Sequence, residues 1–435
     1  MSLRRALLLL LLLCGCAIDE DEDGWSPRQG DCDDADPSRH PEATETCNRI
    51  DDDCDGTTDE NDDVEPLAPG IYGLADAHVR IVGDGNSILF GGSLHRLGDT
   101  TGDGADDFLT NARCSGEPCL GLHASGFCTE DFGKADALAR LPVLTPGYGG
   151  HLGDVDGDGL ADAVDSGRIY LSPLEGFQAD YDFRSGPTTA AQAADLDRDG
   201  HPDLVIGDTT NAQVRFHRGP FEDGELGPFV AVNGYALGTS AVALPGREPP
   251  TTIISTGGSL HVVEGLPQTD QDGAPRLDVE PLFGKDAAFI GSGLASDGYD
   301  RICVGTDGAS PPLVVCGTLE SLESGSPELV FEDDPKYPGL VGPTIGMTRD
   351  LVAVTYPWAT VGDNDGAGRV RVQGEAGSWT FEWDRIVPLN EAGFTGPVAL
   401  LRDPIHGVTW LVASAPWDGE GGVIYIFALD VPPTM

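Results

Sequence analysis

Residues 154–162 read Asp-Val-Asp-Gly-Asp-Gly-Leu-Ala-Asp, and the phrase recurs. Residues 195–203 read Asp-Leu-Asp-Arg-Asp-Gly-His-Pro-Asp, and residues 99–107 read Asp-Thr-Thr-Gly-Asp-Gly-Ala-Asp-Asp. Carboxylates fall at positions one, three, five and nine, except that Thr101 takes the third position of the Asp99 loop. The candidate ligands are Asp154, Asp156, Asp158 and Asp162; Asp195, Asp197, Asp199 and Asp203; and Asp99, Thr101, Asp103 and Asp107. A glycine at position six allows a sharp reversal, so side-chain oxygens can wrap a hard cation that takes six to eight of them. Ca2+ suits such a loop better than Mg2+, which demands a tight octahedron and keeps its water. The competing reading is three solvated acidic turns, because Asp and Gly favour turns for local reasons alone.

Each loop follows a small, Gly- or Ala-rich run and precedes an apolar one, as in 149–153 before and 163–170 after. This is strand, loop, strand. In these residues the chain resembles the FG-GAP repeat, the blade unit of the β-propeller in the head of integrin α subunits and of many bacterial surface proteins. The resemblance implies an all-β fold, a seven-bladed propeller over 67–431. Its blades are expected near 88–140, 147–181, 188–229, 234–265, 288–318, 339–374 and 393–428. Blade four has Leu244 to Pro250 where the calcium loop would be, and blade five is short there, so both are expected to be metal-free. Tyr356-Pro357 with residues 366–372, and Ala415-Pro416 with 422–427, resemble the GAP box and the strand after it. Residues 70–82 look like the outer half of a repeat, with Val79 and Ile81 alternating against His78 and Arg80. Such a strand can complete the last blade and remove an open edge, or stand as a free hairpin.

The N-terminus carries Arg4 and Arg5, an unbroken apolar run from Ala6 to Leu13, and then Cys14-Gly15-Cys16. The run is too short to span a bilayer and reads as a secretion signal, 1–15. Its end resembles a bacterial lipobox, which implies cleavage before Cys16, lipidation of that residue and, with no Asp directly after it, transit to the outer membrane. Ordinary cleavage nearby without a lipid is the alternative. The formal charge of −48 over 435 residues disfavours nucleic acid and anionic lipid as partners and favours metal cations. Sixty Gly and 32 Pro without long helical periodicity argue for many short strands joined by tight turns.

Residues 16–66 form a separate acidic module. From Ala17 to Glu65 there are 20 acidic and three basic residues with few large apolar ones, so burial of apolar surface cannot fold it. Metal and disulfide can. Asp31, Asp33 and Cys32 lie in Gly30-Asp31-Cys32-Asp33-Asp34, Cys47 follows, and Asp51, Asp53, Asp55 and Asp59 repeat the one, three, five, nine spacing around Cys54. As a whole, 30–60 looks like the Cys- and Asp-rich metal-binding motif of bacterial secreted proteins. An acidic stalk that spaces the domain from the membrane is the plainer alternative. Zinc held by Cys32, Cys47 and Cys54 fits less well among so many hard oxygens. Beyond Cys14 and Cys16 there are eight cysteines, which suits an oxidising compartment. Cys303 and Cys316 read as a clip across adjacent strands. Two groups of three, Cys32, Cys47, Cys54 and Cys114, Cys119, Cys128, leave room for one bridge between module and first blade.

No zincin, nucleophile-elbow or phosphate-loop pattern is present in the sequence. The histidines are scattered, and His95, His151 and His201, each near a calcium loop, read as solvent-facing turn residues. The expectation is a non-enzymatic, calcium-binding, lipid-anchored monomer. Its propeller would bind a protein or glycan at the cell surface. A secreted hydrolase or lyase with a site on the propeller axis is the alternative, and metal capture as the function itself a weaker one.

Overall fold

The computed structural model describes residues 19–21, 23–43, 51–56, 65–83, 90–114, 117–123, 132–133, 139–142, 149–165, 168–172, 180–182, 188–208, 213–221, 227–231, 240–256, 259–277, 288–307, 313–332, 344–356, 359, 361, 368–382, 396–404, 407–416 and 422–431. Two compact units emerge, one of Met1–Asp63 with Gly126–Glu130, the other of Val64–Ser125 with Asp131–Met435.

The larger unit is nearly all β. Among the described residues its strands form seven sheets, five of four strands and two of five. In chain order the sheets span 94–142, 149–182, 188–231, 240–277, 288–332, 345–382 and 398–429. Successive strands within a sheet pair antiparallel, the product of short strands joined by tight turns. The first strands of the sheets run Leu94–Gly98, Gly149–Gly153, Thr188–Ala194, Ser240–Leu244, Ala288–Ser296, Ile345–Met347 and Val398–Asp403. Each lies beside the first strand of the next sheet, and that of the seventh lies beside that of the first.

Among the described residues, apolar clusters lie between neighbouring sheets: Val164, Ile169, Leu204 and Ile206 join the second to the third, and Val242, Ile253, Ile302 and Val315 the fourth to the fifth. This explains the sequence pattern. Inner strands such as Leu351–Tyr356 and Val408–Ala415 are buried at every residue, because both faces meet another sheet. Val79–Val82, a later strand of its sheet, alternates buried with exposed.

Residues 70–82 do more than the single outer strand expected of them. Ile71–Gly73 pairs parallel with Gly377–Glu382 of the sixth sheet, while Val79–Val82 pairs antiparallel with Val423–Leu429 of the seventh. Trp379, fully buried, donates its indole N–H to the Leu67 carbonyl at 2.7 Å, fixing the segment between the two. Phe132–Gly133, from an excursion of the first sheet, adds a fifth strand beside Val79–Val82. The later sheets also extend beyond their expected ends. Arg276–Leu277, Leu329–Glu332 and Gly377–Glu382 are outer strands that lie past the expected ends at 265, 318 and 374. A single turn of helix, Leu319–Glu323, precedes the second of these; it is capped by the Thr318 hydroxyl and buries Leu319 and Leu322.

The buried Cys303 and Cys316 face each other across neighbouring strands of the fifth sheet and form a disulfide, as their positions suggested. In the smaller unit Cys32 bonds Cys54. The side chains of Cys47, Cys114, Cys119 and Cys128 lie outside the described residues, as do Cys16, the signal segment and Asp59.

Candidate metal centres

The three Asp loops occupy one place in the fold. Each joins the first strand of its sheet to the second, in the first, second and third sheets. They share a conformation dictated by their glycines and first carboxylate. In each, the N–H of the position-six glycine donates to the position-one carboxylate: Gly104 to Asp99, Gly159 to Asp154 and Gly200 to Asp195, all at 3.0 Å. Those glycines have φ of +88°, +96° and +91°, which only a residue without Cβ adopts freely. Position four is left-handed as well, at Gly102 and Gly157. In the third loop it is Arg198 at φ +61°, and in the Asp51 loop Cys54 at φ +63°. Among the described residues these two are the left-handed non-glycines, so the loop conformation is imposed even where the side chain opposes it. Gly56 donates to Asp51 at 3.0 Å, giving the smaller unit the same turn.

Carboxylate oxygens converge within these turns. Those of Asp154, Asp156 and Asp162 lie within 4.8 Å of one another, as do those of Asp195, Asp197 and Asp199, and of Asp51, Asp53 and Asp55. A fourth group, Asp19, Asp21 and Asp23, does the same. Within its acidic run, Asp19-x-Asp21-x-Asp23-Gly24 carries the one, three, five, six spacing. In the Asp99 loop Thr101 hydrogen-bonds Asp103, whose carboxyl burial raises above its ordinary value, with the charge of Asp99 adding to the rise. Asp158 in the second loop accepts the Leu160 N–H at 2.8 Å.

Position nine has a structural part besides the ligand role expected of it. Asp107, Asp162 and Asp203 are fully buried, and each receives the N–H of its own position two: Thr100 at 2.7 Å, Val155 at 2.7 Å and Leu196 at 2.9 Å. The other oxygen of Asp162 accepts from Ser172 N–H at 2.9 Å, and that of Asp203 from Gly219 N–H at 3.1 Å. The residue therefore ties the base of the loop to the end of the third strand. Burial pushes Asp107 up to about 7, and Asp162 and Asp203 up to about 6. Asp107 keeps its second oxygen buried without a hydrogen bond, an atom a cation or a proton would satisfy.

These donor sets fit a hard divalent cation: all oxygen, several carboxylates, preformed turns. In the third loop a protein cation stands in the way. Arg218 reaches Asp197 at 2.7 Å and Asp199 at 3.0 Å. In the smaller unit Asp33 pairs with Arg39 at 2.7 Å, whereas Asp31 is buried and unpaired at one oxygen. The Asp33 N–H also donates to the Asp31 carboxylate at 2.9 Å, so the two residues lie in one turn. His95 corrects the reading of it as a turn residue: it lies in the strand Leu94–Gly98, and burial pushes it down to about 4, keeping the imidazole neutral. His201 does sit exposed in its loop.

A family model, Cu-binding_MopE, described as "Putative metal-binding motif", matches residues 31–60. No curated protein matches the sequence. Among solved structures, the chain is similar to the Dos1 propeller (TM-score 0.35, 9% identity, over 76% of this chain and 67% of that one). It is similar also to a chain of the COPII outer coat vertex on membranes (0.43, 8%, 80% and 86%) and to YCF48 from Cyanidioschyzon merolae (0.33, 10%, 57% and 73%). The chain is thus a nearly all-β protein with propeller-like neighbours and an N-terminal metal-binding motif.

Proposed function

We propose that the larger unit is a seven-bladed propeller of FG-GAP type, held in shape by Ca2+ in the loops of its first three blades, and that it serves as a binding scaffold. The observation that carries the reading is the shared turn in which Asp99, Asp154 and Asp195 each take a glycine N–H, with neighbouring carboxylates crowding one point in the second and third loops. Without a cation, those carboxylates repel one another and oppose the turn; with one, the two flanking strands are held in register. At extracellular affinities of about 0.1–1 mM, each site near millimolar calcium contributes about 0.4–1.4 kcal/mol to the folded state. The cycle of first strands and the pairing of Val79–Val82 with the last sheet support a closed ring.

The remainder of the reading follows from the sequence. Lipidation at Cys16 would anchor a monomer to the bacterial outer membrane, with the acidic module between lipid and propeller and a protein or glycan as partner. We favour binding over catalysis because the most strongly shifted carboxyls, Asp107, Asp162 and Asp203, are engaged in holding loops. Titration calorimetry of the delipidated protein with calcium, paired with melts in calcium and in chelator, tests the central claim. Several bound ions and a melt that falls in chelator, and approaches the chelated value in the Asp158→Ala plus Asp199→Ala variant, are expected. A melt indifferent to chelator would reduce the loops to acidic turns.

A further inference from the structure

The first-to-second-strand loops of the fifth and sixth sheets do not repeat the nine-residue Asp phrase; they wall a cleft instead. The loop of the fifth sheet, residues 297–300, is built on Asp297, whose carboxylate accepts the N–H groups of Tyr299 at 2.9 Å and of Asp300 and Arg301 at 3.1 Å. The ring of Tyr299, 47% exposed, lies against the Gly246 backbone, where an added Cβ would come within 2.6 Å of it. The Gly246 N–H donates to the Tyr299 carbonyl at 2.9 Å. An aromatic ring is thus fixed in place and left half in water.

In the sixth sheet Thr348 closes the loop, its N–H donating to the Leu351 carbonyl at 2.9 Å and its hydroxyl accepting the Leu351 N–H at 3.2 Å. That turn sets the Arg349 guanidinium 5.2 Å from the Tyr299 ring centroid, and the Arg349 carbonyl accepts from the Arg301 guanidinium at 3.2 Å. The cleft between the two loops has a volume of about 1050 Å³ and is lined also by Asp300, Glu328, Asp350 and Glu375, with Leu329 and Leu351 as apolar lining. Two carboxylates are engaged: Asp297 in its turn, and Glu328 in a salt bridge to Arg301 at 2.9 Å. Among the described residues, the Arg349 guanidinium and the carboxylates of Asp300, Asp350 and Glu375 have neither a hydrogen bond nor an ion pair.

A ligand for this cleft must accept from a guanidinium, donate to carboxylates and cover a tyrosine ring. A hydroxyl group both donates and accepts, and the C–H face of a sugar ring packs on an aromatic one. An anion would meet three unpaired carboxylates, and a cationic chain would find the ring already taken by Arg349. We propose that the cleft between the fifth and sixth sheets binds a neutral oligosaccharide, with Tyr299 stacking a pyranose ring, Arg349 donating to its hydroxyls, and Asp300 and Asp350 accepting from them. Arg349 is exposed and its guanidinium is held by no hydrogen bond, so it swings off the ring at little cost. The inference names a partner class for the binding-scaffold reading and rests on it, but it does not rest on calcium, because the cleft lies outside the three Asp loops.

The test is calorimetry on the full chain with four neutral probes, cellotetraose, maltotetraose, mannotetraose and N-acetylchitotetraose, and two charged ones, tetragalacturonate and tetra-arginine. At least one neutral probe should bind more tightly than either charged one. Tyr299→Ala and Arg349→Gln should each weaken that binding about tenfold, and Asp350→Asn about threefold. Tyr299→Phe, which keeps the ring, and Glu264→Gln, on the fourth sheet, should bind like wild type. Thermal melts identify a variant that fails to fold; if Tyr299→Ala does, Arg349→Gln and Asp350→Asn decide. No binding of any neutral probe at about 10 mM, or tighter binding of a charged one, would overturn the proposal. Neutral-sugar binding unmoved by Tyr299→Ala and Arg349→Gln would overturn it too, while leaving the scaffold reading in place with its site elsewhere. The melt in chelator bears on the blade loops alone, so a failure there is told apart from a failure here.

Discussion

Asp106 and Arg402 hold each other reciprocally: the Asp106 N–H donates to the Arg402 carbonyl at 2.8 Å, and the Arg402 N–H donates back to the Asp106 carboxylate at 2.7 Å. The pair joins the first sheet to the seventh, which the chain reaches almost three hundred residues later. Arg96 adds a salt bridge to the same carboxylate at 2.8 Å. Burial would raise the Asp106 carboxyl, but the Arg96 and Arg402 contacts more than offset it and hold the group below its ordinary value. Asp106→Ala should therefore cost about 1–3 kcal/mol in denaturant unfolding. Because the folded-state value is depressed, this contribution is present above about pH 4 and fades as pH falls below it, so wild type and variant should converge in acid.

Removing charge without removing hydrogen-bond acceptors separates metal binding from loop architecture. Asp156 is exposed, and one oxygen accepts the Asp158 N–H at 3.1 Å, which an amide oxygen can also do. In chelator, Asp156→Asn relieves repulsion within the Asp154 loop and should stabilise by a few tenths of a kcal/mol, about 1 at most. In millimolar calcium it should destabilise, by up to about 1.4 kcal/mol if the site is lost. A change of sign between paired thermal melts is the expected result; the same sign in both would argue against an ion at this loop.

The loops and the outer strand Val79–Val82 were legible in the sequence for a plain reason: Asp and Gly at fixed spacing specify a turn by local chemistry, and Val79 and Ile81 alternate because one face is buried. The division of labour at position nine was not. Nothing in the spacing distinguishes Asp158, exposed in its loop, from Asp162, buried at its base; the difference arises from Ser172 N–H, brought up by a third strand. Arg218 was invisible likewise, because it reaches the Asp195 loop only through the pairing of Asp203–Asp208 with Gln213–His217. The split of residues 70–82 between two sheets depends on Trp379 and Leu67, more than three hundred residues apart. Asp19 to Gly24 has the spacing of the other loops but little contrast, because it lies within an acidic stretch.

The buried carboxyls at position nine predict an unusual pH response. Asp107, pushed up to about 7 by burial, has a folded-state value above its unfolded one. Its contribution is therefore complete below about pH 4 and is lost as pH rises through 7. Asp107→Asn keeps an acceptor for the two Thr100 donors and is neutral throughout. In chelator, the stability of the variant relative to wild type should rise between pH 4 and 7.5, by no more than a few kcal/mol. A difference independent of pH would show that Asp107 ionises normally in the folded protein.

Arg218 makes the third loop unlike the other two. Its guanidinium lies against Asp197 and Asp199, where a cation would sit, and is 58% exposed. Asp199 is held below its ordinary carboxylate value first by the His201 N–H and then by Arg218. A metal ion must displace this arginine or share its ligands, so the protein cation lowers affinity at this loop. An exposed pair of this kind is worth about 0.2–1 kcal/mol, which converts to a roughly 1.4- to 5-fold gain in calcium affinity for Arg218→Gln. Calorimetry on a protein in which the Asp99 and Asp154 loops have been silenced by Asp→Asn substitution reads that gain at one site. Unchanged or weaker binding in Arg218→Gln would mean that the arginine supports the ion-bound loop instead of competing with the ion.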